Sequence, residues 1–334
     1  MLLTSLDAPG VPATAPLTWP GARGMFDNAF DLNLERRLKY VGRLALTWHA
    51  RARLLRELGD LTLGEALFRA QPRAFYPVMS HLIDRRMGTG ARLRTTLASL
   101  RAVCGSVGDE ANVRGLLTHG LTLLELADRT RIVLSLNDVS FHEGLWQVAL
   151  VGADGVRLYS IGFGFTDAHT LLVGNVQGPS LKDEGLDRIR DATHAAHGMR
   201  PPHLLVHALR VLAVRWSAAR LQGVDPENHV KGRWNLRGSR LRFDYRAFWT
   251  EHEGVRDAGG NWSLPLATAL RPIEDVPTKR RAMYRRRYAM LEALQLAVDT
   301  LADARDALPP MPVDGPEVAA DAANAETLAP VLVA

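Results

Sequence analysis

A chain of 334 residues is enough for one large domain or two ordinary ones, and 47% hydrophobic with 23% charged residues is globular usage. Cys104 is the only cysteine, which excludes an intramolecular disulfide and any cysteine-based zinc cluster, and no apolar run reaches the roughly 18 residues of a membrane span. The net charge of +5 permits an anionic partner such as a phosphate-bearing cofactor, nucleic acid or an acidic membrane surface, without requiring one.

Residues 1–25 contain "MLLTSLDAPGVPATAPLTWPG", in which Pro and Asp interrupt the apolar stretch that a signal peptide needs and no basic region comes first. They read as a disordered leader on a cytoplasmic protein. From Asp31 to about Leu126 the pattern is helical, giving a helical N-terminal region over 26–126. Leu34, Leu38, Val41, Leu44, Ala45 and Trp48 recur at three- and four-residue steps and predict a core-facing stripe. Pro72 and Pro77 bound short helices, and Leu93, Leu97 and Leu100 mark another amphipathic face. The interspersed arginines read as a solvated face.

After Ala127 the register changes to strands. "LWQVALVG" and "VRLYSIGFGF" flank Ala-Asp-Gly, a hairpin signal, and Thr170 to Val176 continues the meander. A helix over about Leu186 to His197, the Pro201-Pro202 break and a very apolar helix over Leu204 to Ser217 come next. "ARLQGV" predicts a strand, "RLRFDYRAFWT" a strand or a strand leading into a short helix, "DAGGNW" a turn, and "TKRRAMYRRRYAMLEAL" a long basic helix. The core runs over 127–306, and 307–334 has the composition of a disordered tail. The predicted class is α+β, a helical N-terminal part packed on a mixed, mostly antiparallel sheet.

Candidate chemistry gathers at a few places. The strand exit Gly174-Asn175-Val176-Gln177-Gly178 leads into a helix; it either offers backbone N–H groups to a phosphate or only turns the chain, and it matches neither glycine-rich phosphate-loop spacing. His203, His207 and Arg210 share one stripe of the apolar helix, with His194 and His197 upstream; "HLLVH" lacks the Glu of a metalloprotease helix, and no metal site is assigned. Asp138, His142 and Glu143 open the meander, where partial burial could raise a carboxyl towards neutrality and make it a general base. Asn228, in "GVDPENH", either contacts a ligand or makes an Asx turn. Arg280, Arg281, Tyr284, Arg287 and Tyr288 form a basic helix with interleaved tyrosines. It suits an anionic partner, or a docking helix whose arginine stems lie over apolar surface.

The segments "LLVGNVQGP", "ATHAAHGMRPPHLLVHALRVLA", "FDYRAFW", "GNWSLPL" and "TKRRAMYRRRYAMLEAL", in this order from about Leu54 to Val298, resemble the VirK/YbjX family (DUF535). The resemblance implies a setting in bacterial virulence and envelope-stress tolerance. Many family members carry Lys where this chain has His194.

"PPHLLVHALRVLAVRWSAARLQGVDPENHVKGRW" is similar, more distantly, to the core of GCN5-related N-acyltransferases. That similarity implies N-acyltransferase-like topology, with a splayed strand at Val173 to Gln177 binding an acyl donor near Asn228. It makes Gln177, Gly178, Gly198, Arg200 and Asn228 the donor-site candidates, Glu143 the base and Tyr245 the acid that protonates the leaving group. The sequence departs from that superfamily's pyrophosphate loop: about twenty extra residues follow Gln177 and Gly178, and Pro201 and Pro202 lack N–H donors. The donor is therefore acyl-CoA or another acyl donor. The expected substrate is a small molecule or an envelope-related amine. The alternative is a non-enzymatic stress or virulence factor that docks an anionic partner through residues 279–288. Nucleic acid is the less favoured partner, and no integral membrane segment is expected.

Overall fold

The computed structural model of the protein describes residues 16–26, 34–107, 110–179, 183–232 and 243–301. The centre is a sheet of eight strands: β1 (Leu121–Glu125), β2 (Arg131–Leu136), β3 (Trp146–Val151), β4 (Arg157–Phe165), β5 (Thr170–Gln177), β6 (Arg220–Gly223), β7 (Val255–Arg256) and β8 (Trp262–Leu264). They lie in the order β1-β2-β3-β4-β5-β6-β8-β7. The first five form an antiparallel meander. β6 then joins β5 in parallel and β8 returns antiparallel, so the class is α+β with a mixed sheet.

β3 and β5 are buried almost end to end rather than on alternate residues, as strands covered on both faces are. Along β4, Phe163 and Phe165 meet Trp216 just beyond α8 (Pro201–Arg215). Gly164 points the other way and lies against Thr95 and Ser99 of α5 (Thr89–Val107). One hydrophobic core joins α3 (Trp48–Gly59), α4 (Thr62–Ala70), α5 and α6 (Glu110–Thr118) to the sheet, so the helical N-terminal region shares its interior with the strands.

Several expectations change. The helical reading ran to Leu126, but Leu121–Glu125 is the edge strand β1, closed onto β2 by a turn in which Leu126 N–H donates to the Thr130 carbonyl at 2.7 Å. Residues 16–25, assigned to the loose leader, are ordered. Ala22–Met25 makes one helical turn (α1), and Met25 is fully buried with Tyr40 and Met79. Residues 1–15 and the tail from 302 lie outside the described residues. Pro72 and Pro77 do not bound separate helices; both lie in the 3-10 helix Pro72–Met79. Pro201 and Pro202 do not break the chain either. They are the first two residues of α8, where a missing N–H costs nothing.

The largest reversal is α2 (Leu34–Leu46). Its predicted core stripe faces outwards, with Leu34 73%, Leu38 63% and Val41 59% exposed. Tyr40 is its buried anchor. The Tyr40 hydroxyl donates to the Pro20 carbonyl at 2.6 Å and accepts from Trp19 Nε1 at 3.1 Å, while its ring packs on Phe26 and Tyr76. One aromatic residue held from two sides fixes the rotation of the helix against its aliphatic periodicity.

On the polar stripe of α8, Arg210 is buried while His203 and His207 are half-buried. Arg210 donates to the His252 carbonyl at 2.9 Å and to Thr268 at 3.3 Å, and His203 lies 4.5 Å from the His252 ring and 3.2 Å from Glu251. Burial, then His203, Arg210 and Arg200, push the His252 imidazole down to about 3, so it stays neutral in the folded state. The unfolded chain takes up this proton near pH 6.5, so His252 contributes stability above that pH and loses it as pH falls towards 3. Replacing His252→Phe should therefore flatten the decline of the urea midpoint between about pH 6.5 and 4. An unchanged slope would assign that decline to other groups.

Candidate active site

The parting of β5 and β6 defines the site. The two strands are in register from Thr170–Arg220 to Val173–Gly223. Val224 N–H still donates to the Val173 carbonyl at 3.0 Å, after which β6 ends and β5 runs on to Gln177. β5 carries an irregularity at this point. Gly162 pairs with Asn175 and Phe163 with Val173, so Gly174 is the extra residue of a bulge. A side chain at Gly174 is impossible without movement, because its Cβ would lie 2.0 Å from the Glu143 carbonyl oxygen.

Beyond the parting, Val176 N–H donates to the Tyr245 phenol at 3.3 Å rather than to a strand. Tyr245 is the first residue of α9 (Tyr245–Glu251), which Asp244 caps by accepting from Ala247 N–H at 3.0 Å. Trp249 on the same helix packs where Gly223 has no side chain and donates to the Val224 carbonyl at 3.1 Å. Burial pushes the Tyr245 phenol up, so it holds its proton at neutral pH.

Glu143 lies in a short 3-10 turn, residues 141–143, and is buried. Its carboxylate accepts from Lys231 Nζ at 2.6 Å and Asn175 Nδ2 at 3.3 Å, and His229 Nε2 lies 3.2 Å away. His229 Nδ1 accepts from Lys231 N–H at 3.0 Å, which leaves the proton of the neutral ring on Nε2, facing the carboxylate. Burial alone would raise this carboxyl, but His229 and the Lys231 ammonium overcome it and hold it at about 2. The expectation of a base raised towards neutrality is thus corrected: Glu143 is ionised throughout the neutral range. His229 touches both candidates, since its ring lies 5.6 Å from that of Tyr245.

Three segments are fastened together to make this site. Ile83 N–H donates to the His142 carbonyl at 2.7 Å, and Val230 N–H donates to the Ile83 carbonyl at 3.0 Å. Asn228 belongs to the neighbouring network, donating to the Gly260 carbonyl at 2.9 Å and to Asn261 at 3.1 Å. Asp225 accepts from Trp262 Nε1 at 3.0 Å, and Asp84 from Asn261 at 3.1 Å. Asn228 therefore ties the loop after β6 to the β7–β8 hairpin.

The other donor-site candidates lie apart. Gln177 is exposed at the end of β5, and Gly178 lies against the Tyr159 ring. Arg200 pairs with Glu251 at 3.0 Å, and Gly198 lies beside Arg287 and Met283. In α10 (Thr278–Asp299), Arg281 donates to the Val276 and Glu274 carbonyls, and Arg287 donates to the His197 carbonyl and covers the Tyr284 ring. Tyr288 donates to the Arg271 carbonyl, while Arg280 is exposed. The basic run is thus partly consumed by the fold. The sequence reading missed Asn175, His229 and Lys231. "NHVKG" placed two of them directly after Asn228, but only the fold shows that they meet Glu143.

The family model "Protein of unknown function (DUF535)" matches residues 32–300. The chain belongs to this family. A Haemophilus influenzae relative described as an uncharacterized protein is 29% identical over 82% of this chain and 93% of its own length. Escherichia coli YbjX is 31% identical over 48% of this chain and 49% of its own length. A Mannheimia haemolytica relative, 25% identical over 49% of this chain and 72% of its own, is named membrane protein LapB. In this family member, no helix among the described residues is long and apolar enough to cross a membrane.

Gly174→Ala should lower unfolding stability by at least about 1–3 kcal/mol in urea titration, because the added methyl meets backbone. Gly42→Ala, in open space on α2, should be neutral or stabilising by up to about 1 kcal/mol. Equal effects from the two would show that the contact between Gly174 and Glu143 is not tight.

Proposed function

We propose that the protein is an N-acyltransferase that works where β5 and β6 part. The observation that carries this reading is Val176 N–H, turned into the parting and satisfied by a phenol instead of a strand. A donor carbonyl that took the place of the Tyr245 oxygen would accept from this N–H, and the same bond would strengthen as the oxygen becomes an oxyanion. The antiparallel meander, the bulge at Gly174 and the single parallel partner support the acyltransferase-like topology.

In this reaction the acceptor nitrogen bonds to the carbonyl carbon and the bond to the donor's leaving group breaks. Tyr245 gives its proton to the leaving group and regains one from the acylated amine. Glu143 attracts the acceptor as an ammonium, a group it already holds in the form of Lys231 Nζ; the ammonium releases one proton to solvent, and the free amine attacks. Glu143 does not serve as a neutral-pH base. The donor is an activated acyl group. CoA is one candidate, although Pro201 and Pro202 remove two N–H groups from the start of α8.

The test is release of free thiol from short- and long-chain acyl thioesters by the full chain with small amines, alongside thermal shift. Tyr245→Phe should slow transfer by about 100-fold or more while the protein stays folded. No thioester binding and no thiol release with any donor would reject the reading, as would full activity of Tyr245→Phe.

A further inference from the structure

A pocket of about 420 Å³ opens between α2, the end of the 3-10 helix Pro72–Met79 and the loop that carries Lys231, a size that suits a small molecule. His142 and Lys231 both line it, and Phe26 and Tyr76 supply aromatic wall. The residue after His142 is Glu143, which accepts from Lys231 Nζ and from Asn175, the neighbour of Val176 on β5. The turn 141–143 thus connects the pocket to the strand parting.

The His142 ring is held in one tautomer. Its Nδ1 lies 2.8 Å from the His81 carbonyl, which can only accept, so Nδ1 carries the proton and Nε2 the lone pair. Nε2 makes no hydrogen bond to a described residue. Tyr76 meets the ring edge-on at 5.8 Å. Burial first, then Arg43 and Lys231, outweigh the His81 carbonyl and Glu143 and hold the imidazole below its ordinary value, so it is neutral at pH 7. A neutral imidazole pinned at Nδ1 by a backbone carbonyl is ready to accept a proton at Nε2.

We propose that His142 Nε2 is the base that takes the proton of the acceptor ammonium, and that this acceptor is a small primary amine whose carbon chain lies along Phe26 and Tyr76. The inference rests on acyl transfer at the strand parting. The ammonium gives one proton to Nε2, the imidazolium passes it to solvent, and the free amine attacks the carbonyl carbon of the donor. Tyr245 protonates the leaving group as before. Arg43, whose own donor goes to the neutral Tyr76 hydroxyl, makes an ammonium in the pocket easier to deprotonate, as it does the imidazolium.

His142→Asn keeps a donor for the His81 carbonyl and removes Nε2, and circular dichroism of the full chain checks that it folds. At neutral pH it should slow thiol release with propylamine by at least about 100-fold. Methoxyamine is too weakly basic to be protonated at that pH and needs no base, so the variant should use it within about fivefold of the wild type. Long-range proton–nitrogen NMR, with the variant assigning the ring, should show His142 neutral with its proton on Nδ1. A proton on Nε2 overturns the proposal whatever the transfer assay gives. Wild-type rates with propylamine in the variant, or equal losses with both amines, overturn it and leave acyl transfer standing. No thiol release by the wild type removes the acyl-transfer reading and this one together.

Discussion

A carboxylate taken out of water costs several kcal/mol unless cations and donors surround it, and Glu143 is buried. Its partners come from two places: Asn175 from β5, and His229 and Lys231 from the loop after β6. For His229 and Lys231 to reach it, the chain leaving β6 must fold back over the end of β5 instead of continuing beside it. The parting of the strands is thus the geometric consequence of neutralising one buried charge. The bulge at Gly174 follows from the same demand, because Glu143's own backbone occupies the space a side chain would need.

A second acidic network holds the returning loop from the other side. Asp225 is buried without a lysine; it is satisfied by Trp262, the Glu227 N–H and Arg246. Burial opposes the ionisation of Asp225, but these donors prevail and its carboxyl lies below the ordinary value. Asp84 is held down in the same way by Arg86 and Asn261. The loop from Val224 to Lys231 is therefore stretched between Glu143 on one flank and the β7–β8 hairpin on the other. A loop fixed at both ends keeps a site in place without regular secondary structure, and it lets Tyr245 fill the parting instead of a ninth strand.

Much of this architecture is legible locally. The hairpin at Ala153-Asp154-Gly155, the turn at Asp257 to Asn261 and the apolar α8 follow from turn chemistry and periodicity, and the structure has all three. Glu143 and Tyr245, singled out on separate grounds, both come into contact with His229. What stayed hidden depends on long-range pairing. The edge strand β1 has helical composition and becomes a strand because β2 offers it a ladder. α2 has a regular aliphatic stripe, yet Tyr40, held by Trp19 and Pro20, turns that stripe to solvent. The ionisation of Glu143 was misjudged because burial is visible in a sequence, whereas Lys231, 88 residues further on, is not recognisable as its partner.

The same limit governs positive charge. The densest basic run in the sequence is on α10, but Arg281 and Arg287 spend their donors on carbonyls that end a loop and a helix. Arg92 and Arg210 do likewise inside the fold. An arginine used in this way adds net charge but little local demand for an anion, since its guanidinium donors are already bonded. On α2 the basic residues are sparser and the outcome differs. Arg36, Lys39 and Arg43 lie about one turn apart and share one side of the helix, and the loop brings Lys231 against them. Two of these cations already meet carboxylates, Lys39 the exposed Glu35 and Lys231 the buried Glu143. The fold thus gathers basic side chains at a concavity to which a helix and a returning loop each contribute, and the buried Glu143 is what draws Lys231 to that place.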